Sequence, residues 1–175
     1  MDYLDRLARF VEEVRLDRLS EEAVAAARLV LLDTIGAMAA GSAQPENLRL
    51  AEAMAARRSR PAATLVGHGG RVDPLLATFA NATAGVALEV DEGSRLGGGH
   101  PAIHVIPAAL AVAEDTGADG RRLLEAIIAG YEVCSRLGGA TTPRPNVHST
   151  ARGARSAPRW QSPGSPASTR LACGP

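Results

Sequence analysis

"SEEAVAAARLVLLDTIGAMAAG", residues 20–41, is the stretch on which the fold turns. Ser20 has the side chain of a good helix N-cap, and Glu21 and Glu22 oppose the helix dipole in the first turn. From there the residues predict one helix running to about Ala39 and stopping at Gly41. Its centre, "RLVLLDTIGAMAA", is apolar almost all round, which predicts burial.

The surrounding sequence predicts more helices. Leu4, Leu7, Phe10, Val11 and Val14 recur at three- and four-residue spacing, one amphipathic face over residues 2–15. A short helix is expected over 46–58, ending in the basic cluster "RRSR", a solvated helix end rather than a binding patch. Asp73 caps a helix over about 73–88, with Pro74 at its first position. Pro101 opens another, to about 115. Asp119 caps a last one, in which Leu123, Leu124, Ile127, Ile128, Tyr131, Cys134 and Leu137 share a face. Only "ATLVG" at 63–67 has strand character. The fold class is therefore all-α, a helical bundle-like domain with at most one short strand, near 63–67.

Composition narrows the function. Apolar residues make up 46% of the 175 and aromatics only 3%, so the core must be built from Ala, Leu, Val and Ile. The start, "MDYLDRLARF", lacks the parts of a signal peptide, and no apolar run reaches the length of a membrane span. Cys134 and Cys173 suggest neither a disulfide framework nor a metal knuckle. A cytoplasmic protein without a membrane partner is expected. All 19 basic residues are Arg. Residues 1–148 carry 15 of them against 19 Asp and Glu, a balance of −4, so nucleic acid is not an expected partner.

One loop interrupts the helices: "DEGSRLGGGHPAIH", residues 91–104. His100 precedes Pro101 at a helix N-terminus, where a neutral imidazole, able to accept a proton, is favoured. The amides of that helix end favour a bound anion such as a carboxylate. The glycines allow close backbone approach. Asp91 and Glu92 could orient the histidine or act as a second acid/base group. The plainer reading is a helix cap followed by a flexible connection, and spacing alone favours it. His100 and His104 lie four apart, but there is no HExxH glutamate and Pro101 disturbs the turn, so no metal is expected. Ser94 has no visible base to make it a nucleophile.

"LLDTIGAMAAGS", "ATLVG", "FANATAGVALEVDE" and "HPAIHVIPAALAVAEDTGADGRRLLEAIIAGYEVCSRLG" together resemble the N-terminal region of the MmgE/PrpD family, over about residues 3–148. That family includes 2-methylcitrate dehydratase, cis-aconitate decarboxylase and iminodisuccinate epimerase. The resemblance implies acid/base hydration or dehydration, isomerisation or decarboxylation of a small di- or tricarboxylate, without cofactor or metal. It also implies a homodimer. His100 matches the family's active-site His-Pro histidine. Asp91 matches an acid of its acidic stretch, with Glu89 and Glu92 as neighbours. His148 matches a second active-site histidine; by itself it reads as a loop residue. Glu92, Ser94 and Arg95 are the expected substrate-binding groups, Arg95 being the loop's only cation. The competing class is a non-enzymatic helical interaction module.

After His148 the character changes. "STARGARSAPRWQSPGSPASTRLACGP" holds five Ser, four Pro, four Arg and no acid. Read one base out of register, several of its codons take a middle T, which encodes large apolar residues. Residues 149–175 are thus expected to be a disordered, out-of-frame tail following an incomplete domain at 1–148. The truncated product is expected to be inactive.

Overall fold

The computed structural model describes residues 2–57 and 59–142; His148 and the arginine-rich stretch lie outside them. Six helices are described: α1 (Tyr3–Glu13), α2 (Glu21–Ser42), α3 (Pro45–Ala55), α4 (Pro74–Val86), α5 (Pro101–Thr116) and α6 (Gly120–Ala140). The local signals place most of their ends. Ser20 Oγ accepts the Ala23 N–H at 3.2 Å, Asp73 Oδ1 that of Leu75 at 2.9 Å, and Asp119 Oδ1 that of Arg122 at 2.8 Å. A single 3₁₀ turn, Leu16–Arg18, joins α1 to α2.

The chain forms an all-α domain with one small hairpin. β1 (Ala63–Thr64) pairs antiparallel with β2 (Arg71–Val72). The strand signal at 63–67 thus marks the first half of a pair. Its partner is two residues long, too short to show any alternation. Gly67 and Gly69 supply the positive φ values, 77° and 76°, that turn the chain between them.

Small residues let the helices meet closely. A Cβ at Gly41 would sit 1.8 Å from the Ala84 carbonyl oxygen, so α2 and α4 touch backbone to backbone there. Met38, Ala102, Ile103, Ile106 and Ile127 form one buried cluster between α2, α5 and α6. Ala51, Ala63, Leu65, Val72, Ala77, Ala80 and Ala111 form a second, beneath the hairpin.

Asn81 ties the hairpin to α4. Its Oδ1 accepts the Val66 N–H and its Nδ2 donates to the Thr64 carbonyl, both at 2.9 Å. Asn81→Ala removes both bonds and strands two backbone groups. The expected loss is about 2–4 kcal/mol in chemical denaturation; a loss under about 1 kcal/mol would mean the hairpin does not depend on this side chain.

The basic cluster after α3 is tied to the fold, with Ser59 Oγ accepting the Asp73 N–H at 3.2 Å. Arg60 pairs with Asp115 near the end of α5, which holds that carboxyl below its usual range and raises the guanidinium.

α2 departs from expectation. Thr34, Ala37, Met38, Gly41 and Ser42 are buried, but Leu29 and Leu32 are 67% and 68% exposed. The neighbouring helices cover one side of α2, and no described residue covers the other. An 18-residue window of α2 has a mean hydropathy of 1.6, enough by length and composition to cross a bilayer. A helix apolar all round need not be buried all round.

Candidate functional site: the α4–α5 loop

The loop between α4 and α5 is a closed structure. Ser94 and Gly99 bridge as an antiparallel pair, with the Ser94 N–H donating to the Gly99 carbonyl at 2.7 Å. Ser94 Oγ accepts the Gly97 N–H at 3.0 Å, and its carbonyl accepts the Gly98 N–H at 2.7 Å. Gly97 is buried against α6. A Cβ at Gly138 would lie 2.3 Å from the Gly97 carbonyl oxygen, so only hydrogen at 138 admits the loop. The glycines form a packed turn rather than a loose connection.

That turn brings residues 91 and 100 together. Asp91 Oδ2 lies 3.2 Å from His100 Nδ1, with the Asp91 side chain 4% exposed and the His100 side chain 34%. Nδ1 is shielded from solvent, and its approach to the carboxylate is off the hydrogen-bond direction. Such pairs often align only when a ligand is bound. A shielded carboxylate against one ring nitrogen and a part-exposed ring is the arrangement that orients a histidine for proton transfer.

Glu92 faces the other way. Its Oε2 accepts the Ala102 N–H at 3.2 Å, and its Oε1 accepts the Tyr131 hydroxyl at 2.5 Å. His100 occupies the N-cap position of α5 but makes no side-chain cap, and Glu92 does so instead. The helix-end amide that the sequence offered to a ligand carboxylate is therefore taken by the protein's own carboxylate. Ser94 is occupied within its turn and lies 3.5 Å from Ser135 Oγ. Arg95 is exposed and has no ion-pair partner among the described residues. Glu89 adopts a left-handed φ of 52° just after α4 and is exposed. His104 is exposed on the first turn of α5. No cluster of three or more His, Cys, Asp or Glu is placed to hold a metal among the described residues. A cavity of about 720 Å³ lies between α1, α5 and α6, and His100 does not line it.

Sequence reasoning placed Tyr131 on an apolar face and passed over Ser135. A tyrosine on a buried face needs a partner for its hydroxyl, and that was the available signal. Burial first, and then the bond to Glu92, push the Tyr131 phenol up to about 12. Because the folded value exceeds the unfolded one of about 10, this stabilisation is full below pH 10 and is lost as pH rises from about 10 to about 12. With Tyr3→Phe removing the only other tyrosine, the ultraviolet tyrosinate titration is expected to show a midpoint near 12. Glu92→Gln should move it down. An unchanged midpoint in Glu92→Gln would mean the contact is absent in solution.

The mostly helical domain and its shielded Asp91–His100 pair define a scaffold suited to acid–base chemistry. The MmgE/PrpD N-terminal domain model matches residues 5–157, and the chain belongs to that family. The match runs past His148 into the arginine-rich stretch. No curated protein and no solved structure matches the chain significantly.

Proposed function

We propose that the 91–100 loop is the acid–base centre of a cytosolic, metal-independent enzyme acting on a small di- or tricarboxylate. The observation that carries this reading is the contact between the shielded Asp91 carboxylate and His100 Nδ1. Dehydration of such a substrate removes a proton from a carbon beside a carboxylate and expels hydroxide from the neighbouring carbon. The free His100 nitrogen takes up the proton, and Asp91 fixes the ring and stabilises the imidazolium so formed. Arg95, exposed in the same loop, supplies positive charge for a substrate carboxylate. Glu92 and Ser94 hold the loop in shape rather than meeting substrate, since their oxygens are engaged. His148 is proposed as a second proton carrier on the family resemblance alone.

The composition after residue 148 supports an out-of-frame tail. Resequencing the locus tests it: a verified, uninterrupted frame through codon 175 removes the idea. The frame-restored protein is expected to interconvert a hydroxy-polycarboxylate and its unsaturated product, read by ultraviolet absorbance with 2-methylcitrate, citrate and cis-aconitate. The absence of both turnover and exchange of the carbon-bound proton with solvent deuterium, on all three, would overturn the reading. The second reading, a non-enzymatic interaction module, draws on the open face of α2.

A further inference from the structure

The space between α1, α5 and α6 is built from other residues than the acid–base loop. α1 and α5 each pack on α6 and leave between them a trough of about 720 Å³. Apart from one Thr, one Cys and three charged residues, its lining is Ala, Val, Leu and Gly. The three charges are Arg15, Arg122 and Glu125, and they gather at one end. Arg15 precedes Leu16, whose N–H reaches Glu125 Oε1 at 3.1 Å, and Arg122 lies in the first turn of α6, three residues before Glu125. Glu125 is already engaged: besides that N–H, its Oε1 lies 3.6 Å from Arg121 Nε. Arg122 approaches it only to 3.9 Å. Arg15 has no ion-pair partner among the described residues. Positive charge is thus in excess at this end. Elsewhere along the trough Val11, Val112 and Leu137 stand 45%, 55% and 45% exposed, and no described residue covers them.

We propose that this trough binds a free fatty-acid anion, its acyl chain lying along α6 and its carboxylate at Arg15 and Arg122. The volume falls in the range of a site for one small ligand, about 300–1,000 Å³, and so does the character of the lining, apolar with a few convergent polar groups. The shape is linear: α6 runs about 22 Å from Arg122 to Leu137, a length an extended acyl chain can follow. The charge selects the headgroup. A guanidinium with no anion of its own favours a carboxylate, to which it donates two parallel hydrogen bonds, and it repels an amine. Gathering every lining charge at one end suits an amphiphile with a single polar head. A small polycarboxylate has no apolar chain to bury here, and His100 does not line the trough. The proposal therefore does not depend on the acid–base reading.

The test is isothermal titration of the full 175-residue chain with octanoate, decanoate and laurate, below micelle-forming concentrations. Affinity is expected to rise about fourfold for each CH₂ added. Laurate should bind about tenfold more tightly than dodecanol, which has the chain without the charge. Arg15→Gln combined with Arg122→Gln should erase that difference and leave dodecanol binding unchanged. Ala126→Phe and Val112→Glu put bulk or charge into the trough at exposed positions. The circular-dichroism melt should hold in both, while laurate binding weakens about tenfold or more. No binding of laurate would overturn the proposal. So would equal affinity for laurate, dodecanol and dodecylammonium, or laurate binding that survives both Ala126→Phe and Val112→Glu. In a Cys134→Ser background, a disulfide formed within one chain between the thiol of Ala126→Cys and Cys173 would also overturn it, giving the trough to the chain's own C-terminal segment.

Discussion

Gly41→Val is expected to unfold most of the population or lower the melting temperature by about 10 °C. The reason is the identity of the atoms in the way. A Cβ at position 41 would lie 1.8 Å from the Ala84 carbonyl oxygen and 2.8 Å from its carbon, and both belong to the α4 backbone. A side chain could rotate aside; a helix backbone cannot, so α2 and α4 must part. The same glycine's carbonyl accepts the Asn47 side-chain N–H at 2.8 Å, and that bond would go with it. Overpacking costs about 1–3 kcal/mol when side chains can yield, and the upper end or beyond is expected here. Domains of this size hold only about 5–15 kcal/mol in total. Gly36→Ala is the control: space is open there, and a helical Gly→Ala exchange should stabilise by about 0.5–1 kcal/mol. Equal melting temperatures for Gly41→Val and wild type would show that the two helices are not in backbone contact.

His100→Ala is expected to lower turnover of the frame-restored protein by about 10²–10⁴-fold, the usual contribution of a positioned general base. Folding should survive, because the imidazole caps no helix and is one-third exposed; the melting temperature should move by under about 3 °C. Asp91→Asn tests the orienting role. It keeps the size of the side chain while removing the charge that stabilises the imidazolium, so kcat should fall with little change in KM. Turnover unaffected by both replacements would place the proton chemistry away from this loop. Turnover lost only together with the fold would make the pair structural.

Much of the fold was legible because helix signals are local. Ser20, Asp73 and Asp119 each bond an amide two or three residues on, and Pro74 and Pro101 open the helices they were expected to open. The second strand was not legible, because a two-residue strand has no period. Burial of α2 was read too broadly. Hydrophobicity on every side says that a helix can be covered, and only its neighbours decide which side is.

The loop divides the same way. Its residues announced themselves by type: acids, glycines and a histidine before a proline, in one short stretch. Their assignments were not in the stretch. Glu92 became a cap because Tyr131, thirty-nine residues on, donates to it. Glu125, on an otherwise ordinary helical face, is buried because the Leu16 N–H comes back to it across 109 residues.

The chain's own text fixed the helices, their starting residues and the chemistry available between α4 and α5, since capping and periodicity act within a turn or two of the backbone. Which carboxylate faces the imidazole, which one is consumed in holding a helix, and which side of α2 stays open were settled by the packing of distant segments. Those outcomes rest on contacts whose partners have no fixed spacing along the chain.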